Sequence, residues 1–245
     1  GSYRFFMNPG TGFAGSLWNN MYNLINRSNR LIHRIDELIA KPKTGTQAEI
    51  DAENTALNVA KARIYVFRAY AHMKLFSYYT VDYKNGSSPS VIKFDFYHTD
   101  DYTRYEKRAT VNEIVTFIED DIKRAFDLSN GGDALDIKQE GVSDNNFISK
   151  NVAHAILIKL YAMTENPEGI LSNIGSITGK NIGTAVSFSE LFAKAETGLE
   201  SNPDLVWRLI RLPNDGGGVA GAWWAGAVAA NRKAYMEIGR ALFNE

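Results

Sequence analysis

The sequence predicts a mainly α-helical protein, built as a tetratricopeptide-like α-α superhelix with irregular loop insertions. The segment from Glu53 to Tyr79 is apolar on nearly every side at helical spacing. Such a helix must be covered on several faces by other helices. Amphipathic segments precede and follow it, and the stretches between them contain turn residues and lose the helical period. Stacked helix pairs are therefore expected, and an irregular helical bundle is the alternative.

The 53–79 segment is predicted to be the central helix. Its small residues would let neighbouring helices approach closely; they are Ala56, Ala60, Ala62, Ala69 and Ala71. Arg63 and Arg68 lie on the same helix, and a buried guanidinium needs partners. We therefore expect both arginines to pair with carboxylates from neighbouring helices.

Helices are also predicted before and after this central one. The first runs from about Gly15 to Ala40, with an apolar face formed by two seven-residue series, namely Leu17, Leu24, Leu31 and Leu38 beside Trp18, Ile25, Ile32 and Ile39. Thr110 and Glu113 form a capping box that opens a later helix. Ser149 is predicted to cap the next one, which Pro167 stops.

Composition bounds the class of protein. The chain of 245 residues shows no clear linker, so we expect one domain over residues 1–245, cut at both ends. The 27 basic and 28 acidic residues nearly cancel, which gives no electrostatic case for nucleic acid or for an anionic membrane surface. No apolar run reaches the roughly 18 residues of a membrane span.

No catalytic, metal or cofactor site is predicted. The absence of cysteine excludes disulfides, thiol nucleophiles and cysteine metal sites. The four histidines are scattered without metal-ligand spacing. The glycines from Gly216 to Gly221 match GxGxxG formally, but the βαβ unit that a dinucleotide site needs is not predicted. The acidic run Glu119-Asp120-Asp121 is read as solvated, with Asp121 bonding to a neighbouring helix.

Four ordered segments resemble a known family. Their residues are Trp18, Tyr22, Ile25 and Asn29 in the first helix; Ala62, Arg63, Phe67, Arg68, Ala69, Tyr70, Leu75, Tyr78 and Tyr79 in the second; Arg108, Thr110, Val111, Glu113, Ile114, Ile118, Asp121, Ile122 and Ala125 in the third; and Ser149, Lys150, Ala153, His154, Ala155, Leu160 and Tyr161 in the fourth. Together they are similar to the SusD/RagB family of nutrient-binding outer-membrane lipoproteins, over about residues 16 to 200.

The resemblance implies both a fold and a function. It implies a helical, tetratricopeptide-containing protein at the outer-membrane cell surface, which binds an oligosaccharide and delivers it to a SusC-like TonB-dependent transporter. Family members usually carry a lipidated N-terminal cysteine and a much longer C-terminal half, and this sequence has neither. The expected membrane attachment is therefore a lipid anchor that this chain does not contain, and a shortened or divergent member, or a fragment, is expected.

Aromatic residues in two loops are the predicted ligand contacts. Trp223 and Trp224 lie in a glycine-rich stretch, where flat indoles can stack on sugar faces; alternatively, one of them plugs the core. Tyrosines crowd the 80–109 excursion among aspartates, a combination that suits polyhydroxylated ligands; they are Tyr83, Tyr97, Tyr102 and Tyr105. Alternatively, these tyrosines anchor the loop to the helices.

The leading hypothesis is a non-enzymatic glycan-binding protein. A helical-repeat scaffold that binds a peptide or protein partner is the alternative, and an apolar groove on the inner helices would favour it. A glycoside hydrolase ranks third, because it would need two carboxylates about 5–9.5 Å apart in a cleft and the sequence offers no obvious pair.

Overall fold

The computed structural model describes residues 12–97, 106–138, 146–179 and 205–209, and most of them are helical. The elements in chain order are α1 (Gly12–Ala40), α2 (Gln47–Tyr79), β1 (Pro89–Ile92), β2 (Arg108–Thr110), α3 (Val111–Leu128), a 3-10 helix (Asp133–Asp136), α4 (Lys150–Met163) and α5 (Pro167–Ile174). All of them belong to one compact unit, residues 10–208. The predicted mainly α-helical class is confirmed. None of the helices in the described ranges combines the length and the apolar character needed to cross a bilayer.

Helix α2 is the central helix, as predicted. It packs against α1, α3 and α4, and its buried residues lie mostly in its second half, where Tyr70 and Lys74 stay half-buried. Ala62, Ala69 and Ala71 are fully buried where the neighbouring helices approach. The helix begins earlier than predicted, at Gln47, because Thr46 and Glu49 form a capping box, which is a polar signal that apolar spacing does not contain.

Helices α1 and α2 form an antiparallel pair. The Trp18 ring at the start of α1 lies 5.0 Å from the Tyr79 ring at the end of α2, while Asp36 pairs with Lys61 near the other end. The broad apolar face predicted for α1 is wrong in part, since Leu31 is 51% exposed. Fewer neighbours cover α1 than α2, so α1 buries the narrower stripe of Ile25, Ile32 and Ile35.

The Arg68 guanidinium of α2 joins three helices in the core. Its Nε and Nη2 atoms donate to the two carboxylate oxygens of Asp121 in α3, at 2.8 and 2.6 Å. Nη1 donates to the side-chain oxygen of Asn29 in α1, at 2.7 Å. All three residues are buried, and the rings of Tyr65 and Phe117 lie about 5 Å from the guanidinium carbon. The predictions for Arg68 and Asp121 are confirmed.

The prediction that Arg63 pairs with a carboxylate is wrong. Its guanidinium donates to two backbone oxygens instead, those of Leu135 at 3.3 Å and Ile137 at 2.7 Å. These residues end the 3-10 helix, where carbonyl groups have no helical partner. Backbone acceptors therefore replace the predicted ion pair.

The later helices differ from prediction at their ends. The capping box of Thr110 and Glu113 is confirmed for α3. Ser149 occupies the N-cap position of α4 but makes no side-chain capping bond; Asp136 accepts from the Lys150 amide at 2.8 Å instead. Pro167 does not stop α4, which has already ended, but opens α5, because a proline at the first helical position loses no hydrogen bond.

Replacing Asp121 by Asn should destabilise the protein strongly. The Asp121→Asn side chain keeps the shape but leaves the buried Arg68 charge without its anion, at a cost of about 3 kcal/mol or more. Urea unfolding followed by circular dichroism measures this loss. Asp127→Asn is the matched control, since Asp127 pairs with Lys123 on the exposed face of the same helix; it should leave the free energy of unfolding almost unchanged. Equal effects of the two substitutions would refute the structural importance of the Arg68 network.

Acidification should destabilise the fold through His72. This ring is fully buried; Nδ1 donates to the Arg68 carbonyl at 3.0 Å, and Nε2 accepts from the Phe94 amide at 3.4 Å. Burial lowers the pKa of His72 to about 3, and the nearby Arg68 charge lowers it further, although the hydrogen bond to the Arg68 carbonyl acts against the fall. In the unfolded chain His72 binds a proton near pH 6.5, whereas in the folded chain it stays neutral down to about pH 3. The free energy of unfolding therefore falls between about pH 6.5 and pH 3, by at most ~1.4 kcal/mol per pH unit.

The pH series is measured as urea unfolding between pH 7 and pH 4 on two variants. His72→Gln should flatten the dependence by about one proton, whereas His33→Gln, at an exposed position of α1, should leave it as it is. An unchanged slope in His72→Gln would show that another group governs the acid response.

Candidate functional site

One stripe of α1 presents aromatic and amide side chains to the segment that follows α2. Trp18, Tyr22 and Asn26 lie one helical turn apart, and Asn29 continues the stripe. Opposite them run β1 and the residues after it, up to Phe96. The two sides are joined by specific hydrogen bonds, which set the geometry of the space between them.

The Tyr22 hydroxyl holds β1 against α1. It accepts from the Ile92 amide at 2.8 Å and donates to the Ile92 carbonyl at 3.1 Å. Burial raises the pKa of Tyr22 above its ordinary value, although the bond to Ile92 and the charge of Arg108 act against the rise. The hydroxyl therefore stays protonated at neutral pH and satisfies both backbone groups of one residue.

Asn29 fixes the next part of the same wall. Its amide nitrogen donates to the carbonyl oxygens of Phe94, at 3.2 Å, and Phe96, at 2.5 Å. Its oxygen accepts from Arg68 in the core. The position of the 94–96 backbone is thus tied to the central network of the helices.

Aromatic rings meet along this seam. The Trp18 ring lies 4.8 Å from Tyr22 with the planes tilted by 56°, and it meets Tyr79 edge-on at 84°. Tyr22 in turn lies edge-on to Phe94 at 6.3 Å. Such tilted and edge-on arrangements are the favoured geometries of ring pairs, so the cluster is well packed.

A cleft of about 270 Å³ opens beside these rings. It is lined by Trp18, Tyr22, Asn23, Asn26, Ile92, Phe94 and Glu106. Apolar walls with a few convergent polar groups are typical of small-ligand sites. The rings offer flat apolar surface, the amides can donate and accept, and the carboxylate can accept. This combination matches a polyhydroxylated ring, which has apolar C–H faces and a polar edge.

The predicted ligand tyrosines within the described residues lie elsewhere. The ring of Tyr83 packs 5.4 Å from that of Phe76, and its hydroxyl donates to the Ser77 carbonyl at 2.7 Å. The half-buried Tyr97 lies 4.6 Å from His33, with the ring planes 34° apart. Neither lines the cleft. The other four predicted contacts, Tyr102, Tyr105, Trp223 and Trp224, lie outside the described residues, so all six stay predictions.

The sequence contains only part of the information that defines the cleft. The spacing of Trp18 and Tyr22 places them on one face of α1. Their role depends on the wall opposite, which comes from residues about 70 positions later in the chain. Helical periodicity contains no information on that long-range pairing.

Two of the three residues in the acidic run of α3 make structural contacts. Glu119 accepts from the Tyr161 hydroxyl at 2.8 Å, and Asp121 accepts from Arg68. Across the described ranges, no three side chains of the His, Cys, Asp and Glu types are grouped so as to hold a metal ion.

Comparison with known proteins gives one family match. The SusD-like_3 family model, described as "Starch-binding associating with outer membrane", matches residues 7–132. No curated protein matches the chain.

Solved structures from Bacteroides share the fold. A SusD superfamily protein from Bacteroides thetaiotaomicron is 19% identical, with a TM-score of 0.65 over 93% of this chain and 46% of its own. A SusD-like carbohydrate binding protein from Bacteroides vulgatus is 16% identical, with a TM-score of 0.60 over 85% of this chain and 39% of its own. A SusD-like protein from Bacteroides fragilis is 15% identical, with a TM-score of 0.59 over 82% and 34%. The chain therefore spans less than half the length of these structures.

Tyr22→Phe should loosen the wall of the cleft. Removing the hydroxyl leaves the amide and carbonyl of Ile92 without their partner, at a cost of about 1–3 kcal/mol for unsatisfied buried groups. Hydrogen exchange should accelerate at residues 89–96, and urea unfolding should report the loss of stability. Tyr78→Phe is the control, since that ring is 52% exposed. Unchanged exchange at residues 89–96 in Tyr22→Phe would argue against the anchoring role of the hydroxyl.

Proposed function

Because the chain belongs to the SusD-like family, whose description is starch-binding and associating with the outer membrane, we propose that it binds an oligosaccharide without transforming it. The observation that carries this proposal is the cleft beside α1. Its aromatic walls and its amide and carboxylate groups suit a sugar ring, with the apolar face on the rings and the hydroxyls on the polar groups.

Six of the seven lining residues have a direct role in this proposal. Trp18 is half-buried and supplies the stacking surface, while Tyr22 and Phe94 support it from the side. The exposed amide of Asn23 bonds to sugar hydroxyls from the rim, and Asn26 and Glu106 do so from within. Trp223, Trp224, Tyr97, Tyr102, Tyr105 and Tyr83 remain proposed as further contacts along a longer glycan.

The number of carboxylates in the cleft favours binding over hydrolysis. Glu106 is the single carboxylate among the described residues that line the cleft. Glycoside hydrolysis in most families uses two carboxyl groups flanking the scissile bond. One carboxylate beside amides is suited to holding hydroxyl groups.

The proposed setting is the bacterial cell surface. The protein would be held at the outer membrane through a lipid anchor and would pass its glycan to a SusC-like TonB-dependent transporter. The support for this setting is the family description, together with the surface position of the cleft, which a large oligosaccharide can reach from solution.

Trp18→Ala should weaken glycan binding at least about 5-fold, because it removes a stacking surface worth ~1 kcal/mol or more. Isothermal titration calorimetry with maltohexaose, followed by a panel of neutral plant and bacterial oligosaccharides, measures it. Circular dichroism confirms that each variant is folded. Tyr78→Ala, an exposed aromatic position outside the cleft, is the control. An unchanged affinity in Trp18→Ala would show that the cleft is not the glycan-binding site.

The two predicted tryptophans are tested in the same titrations. Trp223→Ala and Trp224→Ala should each weaken binding if the glycan extends beyond the cleft. If both leave the affinity for a confirmed ligand unchanged, their assignment is wrong while the cleft stands.

A further inference from the structure

A second depression lies between α2 and α4, away from the cleft already described. Its cavity volume is about 280 Å³. Buried Met73 and Ile156 contribute its apolar floor, whereas Lys74 and Lys159 supply positive charge. Trp207, from the segment 205–209, forms one side.

The two lysines face this groove, and no carboxylate among the described residues pairs with them. In the part of the chain that the structure describes, neither forms an ion pair with a carboxylate. Lys74 Nζ lies 5.6 Å from the centre of the Tyr70 ring. Burial, followed by the nearby charge of Lys159, lowers the pKa of Lys74. An anion held between the two ammonium groups would relieve both effects.

The positive charge of this groove is a local feature. The whole chain has a formal net charge of −1, so it has no general attraction for anions. A ligand selected by Lys74 and Lys159 must therefore place its negative charge within a few ångströms of them, because more distant charges are screened.

The aromatic side of the groove is firmly packed. The Trp207 ring lies edge-on to Tyr70, at 5.0 Å and 86°, and edge-on to Phe67, at 5.6 Å and 89°. Three rings fixed against one another form a wall that needs little ordering when a ligand arrives.

We propose that this groove binds an acidic sugar residue, whose carboxylate or sulfate ester lies between Lys74 and Lys159 and whose ring packs on Met73 and Ile156 beside Trp207. The inference rests on the proposed glycan-binding function and gives the protein a subsite for the charged residues of an acidic polysaccharide.

The size of the groove favours a sugar over a peptide. Ligand pockets typically start at about 300 Å³, so a volume near 280 Å³ suits a single ring-sized group. A helical peptide binds through side chains spread over two helical turns, or about 10 Å, and needs a longer groove. A ring with one charged substituent uses the apolar floor and the two lysines together.

Calorimetry with α-1,4-trigalacturonate and its neutral counterpart, α-1,4-galactotriose, tests the charge requirement. We expect the uronate to bind at least 10-fold more tightly at low salt, and the preference to shrink as salt is raised. Galactose 6-sulfate is the sulfate arm, and it separates a sulfate-bearing from a carboxylate-bearing ligand. Equal affinities for charged and neutral sugars, or no detectable binding of either acidic sugar, would overturn the inference.

Lysine variants locate the binding. Lys74→Gln and Lys159→Gln should each weaken trigalacturonate binding about 3-fold or more and together abolish the preference, whereas Lys159→Arg should retain it. Lys123→Gln, on the exposed face of α3, is the charge-matched control. A preference that survives the double variant, or equal binding of a triglutamate peptide, would refute the site.

The two proposals fail separately. Trp18→Ala should leave the lysine-dependent preference in place, and the lysine variants should leave the binding of neutral glycans at the cleft in place. A lost preference for acidic sugars with intact neutral binding therefore rejects only the groove.

Discussion

The buried contact between Arg68 and Asp121 is the constraint on which the remaining structure depends. A guanidinium in the core is tolerated only if its donors are satisfied, and the donors of Arg68 reach α3 through Asp121 and α1 through Asn29. One side chain thereby fixes the relative positions of three helices. An apolar contact could slide by a fraction of a turn, whereas a bidentate pair has one geometry.

The same network extends from the core to the surface. Asn29 accepts from Arg68 and donates to the carbonyls of Phe94 and Phe96, while His72 bonds to the Arg68 carbonyl and to the Phe94 amide. The chain after β1 is therefore positioned by polar groups of α1 and α2. Because the segment after β1 forms one wall of the cleft, the geometry of this surface site depends on the buried network around Arg68.

The framework was accessible from sequence because its signals are local. The apolar period of α2 and the capping box of α3 each involve residues within a few turns, and both predictions are confirmed. Arg68 was recognisable as a buried charge in need of a partner. Arg63 is an arginine on the same helix, yet it donates to carbonyl groups at the end of the 3-10 helix. Helical periodicity does not predict this contact. The cleft was inaccessible for the same reason, since Tyr22 and Ile92 meet across a sequence separation of 70 residues.

Charged residues that hold the helices together differ from those proposed to bind a ligand in whether they already have a partner. Arg68, Asp121 and Asn29 are engaged by one another, so a ligand could contact them only by breaking a buried network. Lys74 and Lys159 have no ion-pair partner within the described residues and lie at a groove. Both are lysines, whose compact charge on a flexible stem can follow a ligand, whereas the planar fork of Arg68 is suited to one fixed partner. At these two places the cation type follows its chemistry: Arg68 holds three helices together, and Lys74 and Lys159 lie at the groove.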